Sequence, residues 1–209
     1  MPTPPWTSPS PGIEPRILPG AGTTREAVSE RRIGRIGKHE RAPAACQPYD
    51  RRAPEVARTV KAMIWRRLPG VAVEHVGSTA VPGCAGKGVI DLLIPYGEGE
   101  LEPIKDTLED LGFQRQSTRN PFPEDRPMRV GSLEHDGDTF RLHVHVVPED
   151  SGETDDLRAF RDRLRADPEM REAYVRRKRD IIESGTTDPI DYSIVKGSFV
   201  RRALEEIRA

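Results

Sequence analysis

The sequence predicts an α+β domain, and three observations predict it. A nearly continuous apolar run, "GVIDLLI" at 88–94, has the character of an interior strand. "MRVGSLEHDGDTFRLHVHVV" at 128–147 alternates on either side of an Asp-Gly turn, the pattern of a hairpin. From 154 onward the periodicity is helical, and two of the helices open on Asp-Pro. Strands and helices in the first part, then helices alone, point to α+β; no internal repeat is visible.

The elements follow in chain order. At 209 residues the chain can bury one sizeable core and still carry a tail. Residues 1–40 are rich in Pro, Gly, Ser and Arg and lack apolar periodicity, so a disordered tail is expected there, with the domain spanning 41–209. His39 falls in that tail and His135 at the hairpin turn, and both are expected to be inert. Pro54 suits a first helical turn, Val56, Val60, Ile64 and Leu68 recur every four residues, and Pro69-Gly70 stops the helix. "VAVEHV" at 71–76 is the first strand and "GVIDLLI" the second. A helix over 101–111 closes on Gly112. In the second hairpin strand, Phe140, Leu142, Val144 and Val146 share one face, while Arg141, His143 and His145 share the other. Leu157, Phe160 and Leu164 mark a helix, Asp167-Pro168 opens the next, and Asp188-Pro189 opens the last.

Composition removes several classes of function. A formal net charge of −1, with acids and bases interspersed, gives no sign of a dedicated nucleic-acid or membrane-surface binder. No apolar stretch approaches the ~20 residues of a membrane span. The N-terminus lacks the apolar core of a signal peptide, which predicts the cytoplasm. Two cysteines, Cys46 and Cys84, are too few for a disulfide framework and lack metal-ligand spacing.

Asp91 lies inside the apolar run, where an unpartnered carboxylate costs several kcal/mol or keeps its proton. If the hairpin strand pairs beside it, Arg141, His143 and His145 come to the same carboxylate. Two histidines at i and i+2 on a strand lie roughly 7 Å apart on one face, close enough to share a metal ion. One carboxylate with imidazoles suits a divalent ion, Mg²⁺ or Mn²⁺ with phosphates ahead of Zn²⁺. The loop before the strand, "GSTAVPGCAGKG", offers the Gly77-Ser78 turn, Thr79 and Lys87 to a phosphate. The alternative is a structural Asp91 hydrogen-bonded to that loop, with His143 and His145 on a solvated face. His75 is equally a structural hydrogen-bonder or a residue supporting the site. "YSIVK" at 192–196 has the Tyr-x-x-x-Lys spacing of some dehydrogenases, but no Gly-rich dinucleotide loop accompanies it.

"EHVGSTAVPGCAGKGVIDLLI" at 74–94 resembles the hallmark block of the GrpB family, and "RLHVHVV", "FRDRLRADPEMREAYVRRK" and "DYSIVKGSFV" are similar to its downstream blocks in order and spacing. The resemblance covers about residues 46–205 and implies a nucleotidyltransferase (polymerase-β-like) palm with a mixed sheet, followed by C-terminal helices. It implies that Gly77 and Ser78 form the phosphate turn and that Asp91 is the first metal-binding carboxylate. Leu93 stands where many related sequences keep a second acid, and His143 or His145 takes the place of a third. A two-metal mechanism needs those carboxylates, so the resemblance implies at most one metal here.

The expected function is a nucleotidyltransferase-like protein binding a nucleotide or another phosphorylated small molecule, with nucleotidyl transfer to an acceptor if it is catalytic. The alternatives are a binding or regulatory module without chemistry, and a metal hydrolase with a two-His, one-carboxylate site. In the C-terminal helices, Arg158, Arg161, Arg165, Arg176 and Lys178 are expected on solvated faces. Tyr192 or Lys196, one helical turn apart, is expected to reach the pocket near Ser78.

Overall fold

The computed structural model describes residues 35–208. Helix α1 (Ala53–Arg67) begins with Pro54 in its first turn and buries Val56, Val60 and Ile64. Strand β1 (Glu74–Val76) follows, and Ser78–Ala80 make a single 3₁₀ turn. Strand β2 (Ile90–Tyr96) leads to α2 (Leu101–Leu111), which ends on Gly112 at φ 103°, a left-handed cap that glycine adopts without strain. Strands β3 (Gln114–Arg115), β4 (Met128–His135) and β5 (Asp138–Pro148) complete the sheet. Asp136 and Gly137 both have positive φ, 49° and 82°, as a two-residue hairpin turn requires.

Three helices follow: α3 (Gly152–Ala166), α4 (Pro168–Glu183) and α5 (Pro189–Arg208). Asp167 accepts from the Met170 N–H and Asp188 from the Ile190 and Asp191 N–H groups, so both Asp-Pro starts are true N-caps. The fold is the α+β arrangement expected, a five-stranded mixed sheet with C-terminal helices. No helix among the described residues is long and apolar enough to cross a membrane.

The sheet order is β1-β2-β5-β4-β3, with β2 and β5 parallel and the other pairs antiparallel. In this register Asp91 lies opposite His143, and Leu93 opposite His145. One face carries Leu92, Leu142, Val144 and Val146, all essentially buried, and α2 is tied to it through Arg129 and Glu109. The other face carries Asp91, His143 and His145 at its centre. There α3 covers the β1 end, with Leu157 packed on Val76, Leu93 and Val147.

One boundary differs from expectation. The expected tail ran through residue 40, yet Ile36 is 3% exposed and Gly37 pairs with Ser132 on β4. Ile36 sits in a slot left by two glycines: a Cβ on Gly131 would lie 2.5 Å from its Cγ2, and one on Gly112 2.7 Å from its carbonyl oxygen. Two isoleucines, Ile33 and Ile36, in an otherwise polar stretch are too few to announce a buried segment. The remainder of the expected tail, residues 1–34, lies outside the described residues.

Candidate functional site

The site is built where β2 and β5 run side by side. Asp91 Oδ1 lies 3.4 Å from His143 Nδ1 and 3.7 Å from His145 Nε2, and the three side chains are between 17 and 25% exposed. One ligand atom from each lies within 4.8 Å of the others, so the three can converge on one cation. Burial pushes the Asp91 carboxyl up, but the two imidazoles pull it further down, and it is held well below the usual carboxylate range. Parallel pairing supplies this geometry, because it carries alternate residues of two separate segments onto one face.

The Gly77-Ser78 turn bends over Asp91. Gly77 has φ 69° and ψ −170°, a region essentially restricted to glycine, and a Cβ there would lie 2.5 Å from Asp91 Oδ2. The turn is held from behind by α3: Arg161 Nη1 donates to the His75 carbonyl at 3.3 Å, and Arg165 Nε and Nη2 donate to the Ala80 carbonyl at 3.1 and 2.9 Å. Glu74 takes Arg158 and Arg161 at 2.6 and 3.0 Å. Thr79, expected at the phosphate, turns inward instead. Its hydroxyl donates to the Val89 carbonyl at 2.9 Å, and His75 Nε2 lies 3.0 Å from the same oxygen. Since that hydroxyl has one proton, already donated, His75 must be the donor and carry its proton on Nε2. Burial, together with Arg165 and Arg161, lowers the His75 pKa to about 4 against the pull of Asp91. A cavity of about 460 Å³, lined by Pro54, His75, Ala80, Pro82, Arg165 and Arg171, opens beside this histidine and not over Asp91.

Basic groups gather on the open side of the turn. Lys87 is brought down to about 8 by burial and by Lys196, with Asp91 opposing, and its Nζ stands 5.0 Å from the Tyr192 ring centroid. Arg141 Nη2 donates to the Lys87 carbonyl at 2.6 Å, bracing the loop that carries that lysine. Tyr192 is 1% exposed, and its hydroxyl has no partner among the described residues. It packs with Ala44 and Ile181 beneath Lys87.

The sequence profile of the GrpB protein family matches residues 43–206. The chain belongs to the GrpB family. A UPF0157 protein of Streptomyces coelicolor is 31% identical over 166 residues, 79% of this chain and 84% of its own length. Another, from Halalkalibacterium halodurans, is 28% identical over 89% of this chain and 93% of its own. The crystal structure of conserved protein GrpB from Enterococcus faecalis superposes with a TM-score of 0.60 at 22% identity, covering 79% of this chain and 100% of that one. This likeness is one of fold.

Three features of this GrpB chain escaped the sequence reading. His39 is not in a loose tail: its ring centroid is 5.5 Å from that of His143, and its Nδ1 is 3.4 Å from the Gly131 carbonyl. Phe122, from the loop before β4, stands edge-on to His145 at 5.8 Å. Neither residue lies in a periodic segment, so no local signal existed. Lys178, expected on a solvated face, is 1% exposed. Here a signal did exist, since Tyr174, Lys178 and Ile181 fall at i, i+4 and i+7 on one helical stripe, and all three are buried. Arg158 and Arg161 are likewise structural partners, half-buried on Glu74, whereas Arg165, which donates to the Ala80 carbonyl, and Arg176, paired with Glu172, are exposed as expected.

Proposed function

We propose that this is a nucleotidyltransferase-like protein that binds a nucleotide or another phosphorylated small molecule with the help of one divalent metal ion. The observation that carries the reading is a juxtaposition. A carboxylate-imidazole cluster that can hold a cation lies under a glycine-serine turn, and Lys87 and Arg141, neither hydrogen-bonded to a carboxylate among the described residues, stand beside it. Asp91, His143 and His145 would hold the ion, and their two-nitrogen, one-oxygen set favours Mn²⁺ over Mg²⁺. Such an ion supplies charge neutralisation for phosphate oxygens. The backbone N–H groups at Gly77 and Ser78, with Lys87 and Arg141, orient the phosphoryl group.

Leu93 supports binding ahead of transfer. It is fully buried against Val76, Val147 and Leu157, so the position of a second carboxylate is part of the core. A thermal-shift series with nucleotides and Mg²⁺ or Mn²⁺ tests the reading, because a ligand at 100 times its Kd stabilises by about 2.7 kcal/mol. A shift that needs both metal and nucleotide is expected; no shift with any nucleotide defeats it. The cluster also suits a metal hydrolase with two histidines and a carboxylate. Stoichiometric Zn or Fe in the purified protein would favour that second reading.

A further inference from the structure

The functional reading leaves the buried lysine of α4 unused. Lys178 Nζ donates to the Ala85 carbonyl, lies 3.5 Å from Cys84 Sγ and stands 4.3 Å from the Tyr174 ring centroid. None of these is a carboxylate. Burying an ammonium without a counter-charge is strongly unfavourable, and a chain needing only bulk would place Met or Leu there. Burial accordingly lowers its pKa.

Two separate observations say what the charge is for. A Cβ on Gly86 would lie 2.8 Å from Ser78 Oγ and 3.2 Å from Lys178 Nζ. The hydroxyl of the phosphate turn and the buried ammonium therefore both press close on residue 86, and it is the missing side chain there that lets them come near one another. The second is the Tyr192 hydroxyl, buried without a partner under Lys87. Lys196, one turn beyond Tyr192, is near enough for its charge to disfavour those of Lys87 and Lys178. The charges of Lys87, Lys178 and Lys196 thus oppose one another, and among the described residues Asp91 is the carboxylate that acts on Lys87.

We infer that Lys178 is a phosphoryl-binding residue, its ammonium and the Ser78 hydroxyl together holding an anionic oxygen of the ligand at the seam between the sheet and the C-terminal helices. The inference rests on the reading that the ligand carries phosphate. It makes α4 and α5 part of the site, since neither Lys178 nor Tyr192 is placed until they pack.

The test uses the full chain and its Lys178→Met variant, which keeps the length of the side chain and removes the charge. The probes are Mn²⁺ alone and inorganic tripolyphosphate alone, followed by calorimetry, with the melting temperature of each ligand-free protein. The variant is expected to melt no lower than the wild type, to bind Mn²⁺ equally, and to bind tripolyphosphate at least tenfold more weakly. Equal tripolyphosphate affinity overturns the inference and leaves the functional reading standing, whereas a wild type that takes up neither tripolyphosphate nor any nucleotide overturns both. A lower melting temperature with unchanged affinity would show the lysine to be structural. Should Lys178→Met fail to fold, Gly86→Ala takes its place: it keeps every charge, but its Cβ forces the Ser78 hydroxyl aside from Lys178. Weaker tripolyphosphate binding is expected, and unchanged binding overturns the inference.

Discussion

Among the described residues two cations are almost completely buried, and they are treated in opposite ways. Behind the sheet, Arg129 is 1% exposed and meets Glu124 at 2.9 Å and Glu109 at 3.3 Å, with Lys105 joining Glu124 at 3.4 Å. On the site side, Lys178 is equally buried and meets a carbonyl, a thiol and an aromatic ring. The first arrangement balances the charge with carboxylates within the fold, although the Arg129 Nε–H has no partner among the described residues. The second leaves one unsatisfied, beside a tyrosine hydroxyl without a partner and a lysine brought down to about 8 by burial and by its neighbour. Charge compensated at the rear and not at the front is the pattern that the proposed phosphoryl-binding role of Lys178 requires.

The largest effect should come from making the rear resemble the front. Glu109→Gln with Glu124→Gln leaves Arg129 buried without its carboxylates, and a loss of about 3–4 kcal/mol is expected in urea unfolding. A loss under 1 kcal/mol would erase the contrast between the two regions.

The next expectation concerns His75, kept neutral by burial and by Arg165 and Arg161. Its folded pKa, about 4, lies below the ordinary 6.5. Above pH 6.5 both states are neutral and the contribution is fully present; between about 6.5 and 4 the unfolded chain takes up a proton that the folded chain refuses, so stability falls with falling pH. The loss should approach about 3 kcal/mol. His75→Gln can still donate to Thr79 but does not titrate, so it should flatten this part of the stability profile. Parallel profiles for the two proteins would place the acid sensitivity elsewhere.

Gly77→Ala should cost about 2 kcal/mol through backbone strain. It should also abolish Mn²⁺ binding, because the new Cβ meets the Asp91 carboxylate. Retained Mn²⁺ binding would detach the turn from the cation cluster. Smallest is the effect of Lys178→Met on the ligand-free protein, a gain of about 1 kcal/mol, opposite in sign to the rear substitutions.

Much of the fold was legible because its determinants are local. Asp136-Gly137, Gly112, Asp167-Pro168 and Asp188-Pro189 each carry their reason within a few residues, and the structure places each where expected. The segment at 114–115 was not legible: it is a strand only because β4 passes beside it. Ile36 was missed for the same reason, its slot being formed by glycines far along the chain.

For the site the division is sharper. By itself the sequence determined which groups were available: a carboxylate in an apolar strand, two histidines on one face of another, and a glycine-serine turn between strands. Alternation along a strand and the conformational freedom of glycine follow from backbone geometry alone. Only the tertiary structure decided that β2 and β5 lie parallel with Asp91 opposite His143, that Thr79 turns inward to Val89 and His75, and that Lys178 is buried at the turn. Register and burial depend on which distant surfaces meet, and charge compensation depends on what they bring with them. A lysine within a run of arginines reads as solvated unless its place on the stripe with Tyr174 and Ile181 is weighed, and its burial is decided only when a second layer closes over it.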